Sequence, residues 1–278
     1  MTHNMLSTSK LPFALFSLLL ICLTASSSHA QSGGKTVASP KAEDVEKAEQ
    51  ILQHATEALG GNAYLSVQSI TAHGLYTLYK EGKPELPLTF TDYIVLPDKE
   101  RTEFKSEGVK NVQANTGDTG WVFDGMTKNI KDMKAPQIAD FKLSLRTSVE
   151  NLLRGLWRKE GARIAYAGRR EAGLAKRNEV VRVTYPDGFT VDFEFGAQDH
   201  LPAKIVWAKK NPDKEGEEIK EEERMMKYID LKGINTPFVV DHYRDAVQQS
   251  RINYDSIEYN AQIADSLFAR PANAKAVK

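Results

Sequence analysis

The sequence predicts an α+β protein that is mostly β: a curved antiparallel sheet, an incomplete half-barrel, with helices covering the concave face. Three observations lead there. Beyond Val67 the apolar pattern changes from a helical period to strand-like alternation. Five short strands then follow one another through tight turns with no helix between them, which means an antiparallel meander and not a parallel α/β sheet. Finally, about ten strands lie in one composition regime. A sheet of that size with one apolar face must curl or pack on something, and a central apolar helix is available to cover it.

Residues 1–30 precede the fold. Lys10 supplies a positive charge, residues 11–23 form an apolar run broken only by Pro12 and Ser17, and Ser28-His29-Ala30 ends a small-residue stretch. That order marks a secretory signal peptide and an exported, periplasmic protein. The run is shorter than the ~20 residues a membrane span needs. Cys22, the only cysteine, follows Ile21, whereas lipidation favours a small residue there, so it is expected to be an ordinary part of the signal. The remainder then has no disulfide and no thiol chemistry. It is balanced in charge, with 36 basic and 37 acidic residues after the signal's single lysine is set aside. A nucleic-acid partner, which normally leaves a basic footprint, is not expected.

Residues 31–39 are Gly/Ser-rich and read as a flexible leader. Ser39-Pro40 suggests an N-cap with proline at the first helical position. Val45, Ala48, Ile51, Leu52, Ala55, Ala58 and Leu59 make one apolar helix face, which Gly60-Gly61 ends. Strands are expected at 70–80, 86–96, 101–106, 109–116 and 121–124, separated by turn residues such as Glu81-Gly82 and Pro97-Asp98. After Pro136, the positions Ile138, Phe141, Leu145, Val149, Leu152, Leu153 and Leu156 form a single stripe. It belongs to one helix or to two joined near residues 146–148, and acts either as a mobile lid or as fixed core. Further strands are expected at 162 onward, 180–185, 189–195, 203–209, 219–231, 237–244 and 250–259. In 189–195, Phe189, Val191, Phe193 and Phe195 alternate with Thr190, Asp192 and Glu194. One domain spans 40–272, and residues 273–278 are expected to fray.

Chemistry is sparse. His54, His73, His200 and His242 fall into no metal-ligand spacing, and the chain has no nucleophile elbow, P-loop or SxxK motif. Gly60-Gly61 follows a helix and so cannot cradle a phosphate at a helix N-terminus. A carboxylate pair of glycosidase type could be hidden among the many acids. Nothing demands it, and the chain is not expected to be an enzyme or to hold a metal or cofactor.

The order signal, helix ending in Gly, meander, apolar helix and β-rich second half resembles the periplasmic LolA-like outer-membrane lipoprotein-sorting carriers and the related LolB and RseB-type half-barrels. Local matches are Tyr93-Ile-Val-Leu-Pro97-Asp-Lys-Glu-Arg101, Thr119-Gly-Trp121-Val-Phe123, and Leu231-Lys-Gly-Ile-Asn-Thr-Pro237 followed by Asn260 and Ala264-Asp-Ser-Leu-Phe268. The resemblance implies a hydrophobic cavity for lipid or lipoprotein acyl chains, transport toward the outer membrane, membrane-bound donor and acceptor proteins, and a monomer. An RseB-type sensor that binds a lipid or protein without transport is the alternative. It also implies that Arg101 hydrogen-bonds a helical lid, whereas the residues alone allow a strand arginine paired with Glu100 or Glu103. Thr102, where such carriers have an aromatic residue, and the long charged hairpin between 209 and 223 depart from the pattern. The expected lining is Phe90, Tyr93, Arg101, Trp121, Phe123, Phe141, Leu145, Val149 and Leu152, with the inward face of each strand read from alternation, so that a slip of one residue reverses it.

Overall fold

The computed structural model describes residues 40–211, 214 and 216–277. The expected signal peptide and leader, through Ser39, lie outside them. Fourteen strands, half of the described residues, form one antiparallel sheet that does not close. In chain order these are β1 (Ser69–Lys80), β2 (Lys83–Pro84), β3 (Leu88–Val95), β4 (Lys99–Ser106), β5 (Val109–Thr116), β6 (Thr119–Asp124), β7 (Asn129–Asp132), β8 (Arg163–Glu171), β9 (Arg177–Thr184), β10 (Thr190–Gly196), β11 (Pro202–Lys210), β12 (Glu218–Asp230), β13 (Asn235–Arg244) and β14 (Val247–Tyr259). Their order across the sheet is β7-β6-β5-β4-β3-β1-β14-β13-β12-β11-β10-β9-β8, with β2 beside β1. Strands β3 to β7 and β8 to β14 each pair with the next in chain order, β3 pairs with β1, and the β1–β14 pairing joins the two meanders. The two strands missing from the expected set in the first meander, β2 and β7, span only two and four residues, too short for alternation to show.

The first helix, α1 (Ala42–Leu59), buries Ala48, Ile51, Leu52, Ala55 and Leu59, which is the apolar face read from sequence. Its start differs from expectation. Lys41, in extended conformation and without a side-chain cap, stands at the N-cap, and Pro40 precedes the helix. Its end is fixed by Gly60, whose φ of +124° admits little but glycine, and a Cβ there would meet the Gly233 carbonyl at 2.2 Å. Asn235 Nδ2 donates to the Ala58 carbonyl at 2.7 Å, tying the helix end to the β12–β13 turn. A single helical turn, α2 (Asn62–Leu65), leads into β1.

The central stripe is two helices, α3 (Ala135–Arg146) and α4 (Val149–Leu153), followed by a 3-10 turn at Leu156–Glu160. The break comes where Ser148 caps α4, its hydroxyl accepting from the Asn151 amide at 3.2 Å. α1, α4 and the 3-10 turn pack on the β8–β12 end of the sheet, enclosing Val181, Val183, Val191, Phe193 and Phe195 with Trp157 and Leu152. The opposite face of this half is polar. Asp192 accepts from Arg170 and Arg182, Glu194 from Arg170 and Asn178, and Asp241 from Arg251, a ladder of ion pairs across neighbouring strands. Asp192 and Glu194, the outward positions of the alternating strand, are thereby buried without being orphaned.

Candidate ligand cavity

Pairing register decides which residues share the helix-covered face, because residues directly opposite in an antiparallel ladder point the same way. Starting from Ile164, the partners Val183, Val191 and Trp207 follow on this face. Continuing through β12, β13 and β14 into the first meander, the same face carries Met225, Val240, Ile252 and Tyr76. Tyr254, Gly74, Phe90 and Phe104 form the adjoining row. The β1 bulge between His73 and Gly74 lies here. A Cβ on Gly74 would come within 2.9 Å of the Phe90 ring and 2.2 Å of the Asn253 carbonyl, so glycine leaves room for Phe90 to lie over the strand. Tyr254 meets Phe90 edge-on at 5.7 Å, and Tyr76 meets Phe104 likewise at 5.7 Å.

The nine candidate lining residues divide. Phe90 is on the helix-covered face, and Leu145 and Leu152 line a cavity of about 290 Å³ beneath α3 and α4. Val149 is core between helices and sheet, and Phe141 is buried on α3. Tyr93, Arg101, Trp121 and Phe123 face the other way. Tyr93 pairs with Arg101, Arg101 with Ala114 and Ala114 with Trp121, a row offset by one residue from the helix-covered one. The inward neighbours there are Asp92, Ile94, Glu100 and Thr102, which sequence reading did not select. The slip has a cause. The outer face of β4–β7 is also apolar, because the C-terminal segment covers it. Trp121 Nε1 donates to the Phe268 carbonyl at 2.8 Å, Arg101 donates to the Leu267 carbonyl at 2.8 Å, and Ala274 packs on Val112, Ala114, Trp121 and Phe123. The tail expected to fray is instead a 3-10 turn, Ala274–Ala276, in this contact. Arg101 pairs with Glu103 at 2.6 Å and anchors this segment, on the side away from the helices that the carrier resemblance would have it hold.

The cavity lies between the β3–β4 turn, with Pro97 and Asp98, and strands β9 and β10, with Val183 and Phe193, while Leu152 and Trp157 close it from above. α3 bridges its mouth. Lys142 pairs with Asp118 in the β5–β6 turn. Arg146 pairs with Asp187 at 2.6 Å in the β9–β10 turn and with Glu160 at 2.7 Å. Such exposed pairs are worth about 0–1 kcal/mol each, enough to bias a strap without locking it.

Further along the same face toward β1 and β14 the packing loosens. Ile70, Ile94, Met225, Val240, Ile252 and Tyr254 are only half-buried. Asp92, Glu100 and Glu223 are enclosed on most sides by protein yet keep accessible surface, as lining residues of a hollow do. Burial pushes Glu100 up to about 8, with the nearby Asp92 charge adding to it, and pushes Asp92 up to about 6 against a hydrogen bond from Thr102 at 2.5 Å. At the far rim the opposite holds. Burial would raise Glu221, but hydrogen bonds from His242 and Lys209, with their charges, outweigh it and hold the carboxyl at about 2. Among the described residues no group of His, Cys, Asp and Glu could hold a metal ion, and no helix is long and apolar enough to cross a membrane.

Comparison with family models and with curated proteins gives no match. Solved structures do match. A LolA superfamily protein from Nitrosomonas europaea superposes with a TM-score of 0.56 at 12% identity, over 80% of this chain and 97% of its own. A DUF1329 family protein from Desulfovibrio piger gives 0.57 at 12% identity over the same shares. A putative outer membrane lipoprotein-sorting protein domain from Vibrio parahaemolyticus gives 0.55 at 13% identity, again over 80% and 97%. With the open, helix-covered sheet, these likenesses establish that the chain has the LolA-like fold.

Proposed function

We propose that this protein is a non-enzymatic envelope carrier that holds lipid or lipoprotein acyl chains between its sheet and its helices, for transport toward the outer membrane. The observation that carries the reading is the cavity of about 290 Å³, walled by apolar side chains of α3, α4, β9 and β10 and opening under a helix held by surface ion pairs. It falls near the lower end of ligand-pocket sizes, about 300–1,000 Å³. The loosely filled face beyond it, from Ile94 to Ile252, extends the apolar surface that a chain could use. Burying about sixteen carbons yields roughly 12 kcal/mol at about 0.8 kcal/mol per methylene. A carrier must supply that and still release its cargo, which suits a wall partly made of a displaceable helix.

The test is titration with an environment-sensitive fluorescent fatty probe. Saturable binding is expected, and Leu145→Glu, at a half-buried cavity position, should weaken it at least tenfold with little change in melting temperature. No saturable binding by the unmodified protein would contradict the proposal.

A further inference from the structure

At the rim of the sheet Lys209, His242 and Arg244 converge on one buried carboxylate. Glu221 is 1% exposed, and its Oε1 meets both Lys209 Nζ at 2.7 Å and Arg244 Nε at 3.0 Å. Its Oε2 meets His242 Nε2 at 2.8 Å. Register sets all of them on the helix-covered side of the sheet. Val191, Trp207, Glu221 and Arg244 are successive partners across β10 to β13, as are Phe193, Ile205, Glu223 and His242. Lys209 is two residues beyond Trp207 on β11 and so shares its face. A buried carboxylate needs one counter-charge, and Glu221 has two permanent cations. The next acid on this face, Glu223, does not restore the balance, because burial disfavours its ionised form. The surplus charge is accessible. Lys209 and Arg244 are partly exposed, and the two Nη groups of Arg244 make no hydrogen bond with the described residues. Trp207 stacks on His242 at 6.4 Å with the rings 15° apart, which places an aromatic surface beside the cations.

We infer that this rim is an anion site, and that it takes the phosphate or carboxylate head of an amphiphile whose chain runs into the cavity. Arg244 offers its Nη groups as donors to the oxygens of such a head, with Lys209 beside it as a point charge. Glu221 holds both cations on one oxygen, so less side-chain freedom is lost when an anion binds. The position suits a chain in the cavity. Phe193, in the cavity wall, stands on β10 and Glu221 on β12, two strand spacings or about 10 Å apart across the same face. Ile205 and Trp207 on β11 supply apolar surface over the interval. The inference rests on the acyl-chain reading above and adds to it the charge of the head group.

Displacement of the bound fluorescent fatty probe by dodecyl phosphate, dodecanoate, dodecanol and dodecyltrimethylammonium tests the head-group preference. The two anions are expected to compete about tenfold better than the alcohol, a difference of about 1.4 kcal/mol. The ammonium ligand should compete worst. Arg244→Gln should remove most of the anions' advantage and leave dodecanol unchanged. Lys220→Gln, at an exposed position on the opposite face of β12, should keep it. Inorganic phosphate alone separates the sources of the anion: no binding without a chain assigns the site to lipid heads, and binding extends it to free phosphate. Equal competition by all four ligands, or an equal loss in Lys220→Gln and Arg244→Gln, would overturn the inference and leave the carrier reading standing. Failure of all four to displace the probe would overturn both. The ranking in the unmodified protein decides the matter even if Arg244→Gln folds poorly.

Discussion

One face of one sheet is built in two ways. Over β8–β10 it is filled except at the cavity: Val181, Val191 and Phe195 are at most 1% exposed beneath α1, α4 and the 3-10 turn. Over β1, β3, β4 and β14 the same face is mixed: Tyr76, Phe90 and Phe104 are buried, whereas Ile70, Ile94, Ile252 and Tyr254 keep accessible surface, beside carboxyls whose ionisation burial disfavours. The first region follows the rule that interiors pack like crystals. The second departs from it, and departures of that kind are where a fold keeps room for something else.

The comparison breaks if the two regions respond alike to truncation. Phe195→Ala should cost about 3–5 kcal/mol, since it empties a closed core, and should be visible as a large loss in denaturant midpoint. Tyr254→Ala removes a half-buried ring whose edge contact with Phe90 is worth about 0.5–1.5 kcal/mol. It should cost little more than that and reduce fatty-probe affinity by a larger factor than it reduces stability. A cost matching that of Phe195→Ala would mean that the second region is solid core after all.

Acidity sharpens the contrast. Glu100 is held neutral up to about 8 in the fold, while in the unfolded chain it ionises near its usual 4.5. Below pH 4.5 both states are protonated and nothing is lost. Between 4.5 and 8 the unfolded chain gains its charge first, so stability should fall as pH rises through this window and level off above it. Glu100→Gln should flatten that slope and raise stability at pH 8 by on the order of 1 kcal/mol. An unchanged slope would show Glu100 to be freely hydrated. The smallest effect is expected at the strap. Arg146→Gln should alter stability by about 1 kcal/mol or less, because its pairs with Asp187 and Glu160 are partly exposed, while accelerating probe entry in stopped-flow traces.

Much of this was legible in the residues. The face of α1 and its glycine stop, the antiparallel meanders and the alternation of Val191, Phe193 and Phe195 are local patterns, and the structure follows them. The inward face of β3–β6 was not legible. There both faces are apolar, and what distinguishes them is a segment some 150 residues later: Phe268 and Ala274 fold back over Trp121 and its neighbours. No alternation within β6 contains that information.

The three tryptophans allow the most direct test of where a chain binds. Trp157 lines the cavity, whereas Trp121 lies on the opposite face under the C-terminal segment. In variants retaining one tryptophan each, a bromine-labelled fatty acid, which quenches only at close range, should quench Trp157 saturably and leave Trp121 unaffected. Equal quenching of the two, or quenching of Trp121 alone, would contradict an acyl chain held between sheet and helices.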